Sequence, residues 1–355
     1  MSEPTADSIM RRTMLRQPED VRRLLTEGWD LAKSAADLIA AAERVFVTGI
    51  GTSHHAALVG SWLLRAAGCD ARNVLSFDLA TYPDQFPVRT TDAVVVMAHT
   101  GVKRYSGEAM ARAVAQGATV ISVGSLTAEH PGAQATLRTV ERETSAAYTS
   151  SQLCAVVALA QLATELGERR RASGVHGFRD ALGRLPDQIA GVLSRESEIT
   201  PIATAAIARR VYVAGGGPNE ATALELVIKA REAAYAHIDA LAAEQFLHGP
   251  MVAFNAGDLG VFVNVPGASA ARIGEIAAVA SAMGGTVWLV GAGSASAPDT
   301  ALFALPELPE VLSPLLAVVP MQMLAQQMAS LKGINPDTFR RDNPVYKEAF
   351  GLLKL

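Results

Sequence analysis

Val45-Phe46-Val47-Thr48-Gly49-Ile50-Gly51-Thr52-Ser53 is an apolar, β-branched run that stops in glycines and opens into hydroxyl residues. A run this short, bounded by glycine, predicts a strand buried on both faces. Residues 54–67 behind it read as a helix, so the stretch predicts strand, tight turn and helix. The same order continues outward. Residues 93–97 and 118–123 read as strands, and 105–116 and 150–166 as helices. A second copy of the plan starts at Val211-Tyr212-Val213-Ala214, which runs into Gly215-Gly216-Gly217-Pro218-Asn219 and a helix expected over 220–237. Strands at 259–265 and 286–290 and helices at 269–283 and 314–331 complete it. Continuous apolar strands alternating with helices imply parallel sheets covered on both faces. The fold class expected is therefore α/β, with two tandem units of similar plan. Residues 167–197, charged and carrying Gly174, Gly177 and Pro186, read as a connector containing helix.

Composition agrees and excludes several functions. A chain of 355 residues suffices for two domains, each with its own core. Half of it is hydrophobic yet only 5% is aromatic, which suits helices packed on sheets. A formal net charge of −4 predicts no nucleic-acid footprint. Arg169, Arg170 and Arg171 cluster, but a solvated helix end accounts for them, because phosphate neutralisation needs a stripe of cations. Cys69 and Cys154 lie in apolar stretches and read as small buried thiols, neither a disulfide framework nor a zinc site. No His, Cys and carboxylate set has metal-ligand spacing, so no metal or cofactor is expected. Residues 1–16 are basic with no apolar run behind them to form a signal peptide. Nothing approaches the roughly 18 uninterrupted apolar residues of a membrane span, so a cytoplasmic protein is expected.

The strand ends carry the candidate chemistry. Gly49-Ile50-Gly51-Thr52-Ser53 lets backbone amides approach an anion at a helix start, with Thr52 and Ser53 hydroxyls as further donors. It lacks the third glycine of a dinucleotide fingerprint and the Gly-Lys-Ser/Thr of a phosphate-binding Walker loop, and it reads equally as a tight helix cap. His99, Thr100, Lys103 and Arg104 gather at a second strand end. Cations at a helix start are mildly unfavourable, which points either to an anionic ligand or to an exposed basic turn. In Lys229-Ala230-Arg231-Glu232 the lysine and glutamate share one helix face, and Glu244-Gln245-Phe246-Leu247-His248-Gly249-Pro250 closes a helix. A carboxylate and an imidazole can move protons next to a carbonyl. By spacing alone, Glu232 reads as a salt-bridged carboxylate and His248 as a cap.

Taken together, these residues resemble a known family, the tandem SIS (sugar isomerase) domain proteins, and above all the isomerase part of glucosamine-6-phosphate synthase. Carrying the resemblance are Ala223-Leu224-Glu225 with Lys229-Ala230-Arg231-Glu232, then Tyr235, His237, Ala242-Ala243-Glu244 and Leu247-His248-Gly249-Pro250. Arg16-Gln17-Pro18, Gly51-Thr52-Ser53-His54-His55-Ala56, Ser145, Ser151-Gln152-Leu153 and Leu331-Lys332-Gly333 with Arg340 follow in the family's order. The resemblance implies flavodoxin-like sheets and domains at 35–190, including the connector, and at 191–335. A helical lead-in over 1–34 precedes them, and a tail at 336–355 lies over the active site.

It also implies roles. Glu232 would shuttle a proton between C1 and C2 through an enediol(ate), His248 would help open the ring, and Lys229 would stabilise the enolate-like charge. Gly51, Thr52, Ser53, Thr100 and Ser145 would hold a phosphate or other anionic tail. Two departures bear on the substrate. The family's Ser-Gln-Ser-Gly-Glu-Thr is Ala98-His99-Thr100-Gly101-Val102-Lys103 here, which places His99 and Lys103 at the anion end. Where the family has a tail lysine this chain has Pro344, and Lys347 takes that role if the tail holds a small insertion. The chain starts Met1-Ser2 without the synthases' glutaminase, so no glutamine hydrolysis is expected. The expected function is an isomerase or deaminase, or a deglycase, of an amino- or keto-sugar such as a hexosamine 6-phosphate. The partners expected are that small molecule and a second copy in a homodimer, with no nucleic acid or membrane. The competing reading is a sugar-phosphate sensor that kept the pocket and lost the chemistry.

Overall fold

The computed structural model describes residues 7–101, 103–292 and 300–353; the first six residues of the lead-in, Val102 of the altered loop and the last two of the tail lie outside the described residues. The chain forms two compact units. One comprises Gln17–Glu143, Ser150–Pro186 and 340–353, the other 7–16, Thr144–Thr149 and Asp187–Phe339.

In chain order the elements of the first half are α1 (Ile9–Glu27), α2 (Trp29–Ile39), β1 (Arg44–Gly49), α3 (Thr52–Ala66), β2 (Ala71–Leu75), α4 (Ser76–Thr81), β3 (Asp92–Met97), α5 (Arg104–Ala115), β4 (Thr119–Gly124), β5 (Ala135–Arg138), α6 (Ser150–Arg170) and α7 (Phe178–Leu193). The second half has α8 (Thr200–Ala208), β6 (Val211–Gly215), α9 (Glu220–Ala234), β7 (Ile238–Ala242), α10 (Ala243–Leu247), β8 (Leu259–Asn264), α11 (Ala270–Ala282), β9 (Thr286–Gly291), β10 (Thr300–Ala304) and α12 (Pro314–Leu331). The helix α13 (Pro344–Gly351) follows.

Each unit holds a five-stranded parallel sheet, in the orders β2-β1-β3-β4-β5 and β10-β9-β8-β6-β7. Read from the other edge, the second order is the same as the first. In both, the chain leaves the first strand toward one edge and returns on its other side, so the switch points lie between β1 and β3 and between β6 and β8. The central strands β3 and β8 are buried at every position, as their unbroken apolar runs predict. On one face of the first sheet Phe46, Val94, Val96 and Val120 pack with Met110 and Ala113 of α5. In the second, Tyr212, Ala214 and Phe262 pack with Phe246 of α10 and Ile273 and Ile276 of α11. Helix α12 is long and apolar enough to cross a membrane by length and composition, but it is a buried core helix lying on α9.

One expected element is shorter than its sequence suggests. The helix read over 220–237 stops at Ala234, because Tyr235 takes a left-handed conformation (φ 50°, ψ 37°) and the amides of Tyr235 and Ala236 both turn back to the Ala230 carbonyl. The freed chain enters β7, which pairs in parallel with β6.

Candidate functional site

At the carboxyl end of β1 the chain turns so tightly that a Cβ on Gly49 would stand 2.5 Å from the Ser53 backbone. Gly51 follows with φ 60°, a conformation that costs glycine nothing. The turn starts α3 at Thr52, and the amides of His54 and His55 close on the Gly51 carbonyl at 2.9 and 3.2 Å. Thr52 and Ser53 thus sit half-buried at the positive end of a 15-residue helix. Below them Thr48 Oγ1 and Ser76 Oγ are 3.0 Å apart and Ser106 Oγ donates to Ser76 Oγ at 3.5 Å, tying the ends of β1, α4 and α5 together.

The loop after β3 carries His99 and Thr100, both half-buried, and Lys103, the exposed N-cap residue of α5. Its two basic residues differ. Arg104 pairs with Glu108 at 3.2 Å and stacks 4.8 Å from the Tyr105 ring, whereas the Lys103 side chain has no hydrogen-bond or ion-pair partner among the described residues, its carbonyl alone accepting from the Gly107 amide at 2.7 Å. Burial pushes His54 down to about 4, helped by His55, and pushes His99 down to about 4, helped by Arg142. Burial thus favours the neutral form of both imidazoles, which can hydrogen-bond to an anion. Positive charge at this loop comes from Lys103 on it and from Arg142, which acts on His99.

In the other unit α9 presents the second group. Lys229 is 0% exposed, and its Nζ donates to Glu232 Oε2 at 2.7 Å. The Glu232 side chain keeps 16% of its surface in contact with solvent. An ammonium taken out of water is expensive unless paired, and here the pair is formed within one turn of helix. Glu225, 1% exposed, lies one turn earlier on the same stripe. Both ends of α9 are fixed. Asn219 donates from Nδ2 to Ser313 Oγ at 2.8 Å and accepts from Thr222 Oγ1 at 2.9 Å. At the far end Lys332 Nζ donates to the Ala234 carbonyl at 2.5 Å, a cation at a helix C-terminus.

His248 ends α10 in the same unit, where Nε2 lies 3.3 Å from Glu244 Oε2 and three quarters of the side chain is exposed. Arg272 clamps Glu244 from the other side at 2.6 Å. Ser145 donates to Asp337 Oδ1 at 2.7 Å, and Asp337 also accepts from the amides of Ile9 at 2.7 Å and Met10 at 2.9 Å, capping α1. The structure therefore joins Lys229 to Glu232, gathers Gly51, Thr52, Ser53, His99, Thr100 and Lys103 at strand ends of the first sheet, and commits the Ser145 hydroxyl proton to Asp337. Lys347 is exposed on α13. Among the described residues no cluster of His, Cys, Asp and Glu could hold a metal ion.

Sequence reasoning missed three groups. Asp337 is one and His130, beneath the β3 loop, another. The third is Glu310, whose carboxylate accepts from the amides of Ala268 at 2.8 Å and Ser269 at 3.3 Å and from Ser269 Oγ at 3.1 Å, at the start of α11. Each acts on a partner remote in sequence, and no local pattern announces such a contact.

No family model matches the chain. Over 338 residues, 93% of this chain, it is 29% identical to glutamine–fructose-6-phosphate aminotransferase [isomerizing] of Pyrococcus horikoshii. It spans about half, 56%, of that relative's length. Among solved structures, the C-terminal domain of glucosamine-fructose-6-phosphate aminotransferase from Francisella tularensis superposes with a TM-score of 0.83 at 18% identity, covering 94% of this chain and 98% of that one. Glucosamine-6-phosphate deaminase from Thermotoga maritima gives 0.71 at 18%, covering 93% and 97%. The repeated strand order, the superposition over 94% of the chain and the 29% identity show that this chain has the two-sheet α/β fold of these proteins and is similar to the isomerase (SIS) part of the aminotransferases.

Proposed function

We propose that the chain is a sugar isomerase or deaminase acting on an amino- or keto-sugar of the hexosamine 6-phosphate type. The observation that carries this reading is the buried Lys229–Glu232 pair on α9. Glu232 takes the proton from C2 of the open-chain sugar, and the C2–H electron pair becomes the C1–C2 double bond. The C1 oxygen takes up the charge, and Lys229 stabilises it. Returning the proton to C1 while the O2 proton passes to O1 gives the neutral ketose. From a 2-amino sugar the same transfer gives a C2 imine, which water hydrolyses to the ketone with release of ammonia. His248 moves the proton that opens the ring, and Lys347 stands in for the family's tail lysine. Relatives named for isomerisation and for deamination support both outcomes.

A panel of aldose, ketose and 2-amino hexose 6-phosphates, assayed for aldose–ketose shift and for ammonia, tests the reading. Turnover of at least one member is expected. Saturable binding with no turnover of any would make the chain a sensor.

Two further results are expected. His248, exposed on its turn, serves the neighbouring copy in a homodimer, so sedimentation at micromolar concentration should show a dimer. A fully active monomer would contradict this. Lys103→Ala should raise KM by on the order of tenfold while kcat persists, since a hydrogen bond to a charged group contributes roughly 1.5–3 kcal/mol. Rising salt should weaken binding in the wild type more than in the variant. An unchanged KM would return Lys103 to the solvated surface.

A further inference from the structure

His130 is 8% exposed, and its Nε2 lies 2.8 Å from the carbonyl oxygen of Ala98. Nε2 therefore carries the proton and donates it. Nδ1 is buried without a hydrogen-bond partner among the described residues. The same Ala98 oxygen accepts from the Gly101 amide at 3.2 Å, which closes a β-turn with His99 and Thr100 at its two central positions. The Ser125 amide donates to the His99 carbonyl at 2.9 Å, so the 125–130 segment holds the turn at two successive carbonyls. That segment is anchored in its turn, because Arg138 donates to the carbonyls of Ser125, at 3.0 Å, and Ala128. Gly124 clears the space for the ring: a Cβ there would stand 2.3 Å from His130 Cε1.

An imidazole buried with one nitrogen unsatisfied costs stability. The donor it supplies goes to the one carbonyl on which the turn closes. We infer that His130 is a positioning residue for the anion loop: by fixing the Ala98 carbonyl it sets where His99, Thr100 and Lys103 meet the anionic end of the ligand. The inference rests on the reading of this loop as the anion end. Its effect belongs to binding, because the loop touches the anion and not the reacting carbons.

Inorganic phosphate is the probe, measured by calorimetry and as a competitive inhibitor of whichever sugar phosphate is turned over. His130→Phe keeps a ring and removes the donor, whereas His130→Gln supplies a donor at similar reach. His130→Phe is expected to weaken phosphate binding and raise KM about tenfold each, with kcat within about twofold, and His130→Gln to recover most of the loss. Gly124→Ala displaces the ring and should reproduce the His130→Phe pattern, which keeps the test alive if His130→Phe does not fold. A folded His130→Phe or Gly124→Ala with wild-type phosphate affinity and KM would overturn the inference, as would a fall in melting temperature with KM unmoved. Lys103→Ala separates the two failures. If it leaves phosphate binding unchanged, the loop is not the anion end; if it weakens binding while His130→Phe does not, only the role of His130 is lost.

Discussion

Glu232→Gln should lower kcat by roughly 10²–10⁴-fold with KM unchanged, in a protein that still folds but is less stable because the buried Lys229 ammonium loses the Glu232 charge. The amide has the carboxylate's shape and keeps an oxygen for the Lys229 ammonium, now 2.7 Å from Glu232 Oε2. It cannot accept the C2 proton. The loss therefore falls on the chemical step, and wash-in of solvent deuterium at C2, followed by NMR, should stop. Exchange at near wild-type rate in the folded variant would place the base elsewhere.

Lys229→Met should be comparably severe for a different reason. Methionine fills a similar volume, so the core around a fully buried side chain is kept. The fixed positive charge beside the developing enolate is lost, a change of about 10²–10³-fold in kcat. Stability should fall as well, by up to about 3 kcal/mol, because the largely buried Glu232 loses its counter-charge. The signature is in the double variant. Adding Glu232→Gln to Lys229→Met removes the stranded charge, so the pair should melt at a higher temperature than Lys229→Met alone. If the double variant is the less stable by the sum of the two single losses, the pair contributes nothing as a pair.

What was legible in the sequence follows from which surfaces are buried. β1, β3, β4, β6, β8 and β9 lie inside their sheets, need apolar residues on both faces, and so appear as continuous runs. The edge strands β2, β5, β7 and β10 are only partly covered, and stretches such as Ala71-Arg72-Asn73-Val74-Leu75 give no such run. The end of α9 was invisible because a tyrosine, not a glycine, takes the left-handed turn. At the candidate site, Lys229 and Glu232 were readable as neighbours because helix geometry joins positions three apart. The bond from His130 to Ala98 spans 32 residues, and those to Asp337 span more than 300 from Ile9 and Met10 and 192 from Ser145. Only the folded chain brings such partners together.

Glu310 has a consequence for ligand counting. The turn from β8 into α11 occupies the place in its sheet that the turn from β3 into α5 occupies in the other, at the same side of an equivalent switch point. A carboxylate of the chain already rests on the amides of Ala268 and Ser269 that lead into α11, and at Gly267 an added Cβ would meet it at 2.2 Å. Any free anion approaching that turn competes with a rival tethered to the same molecule, at an effective concentration of millimolar order or above. Two copies of the fold therefore do not amount to two equivalent vacancies. Titration with dilute phosphate would address the first sheet's loop while the second stays answered from within.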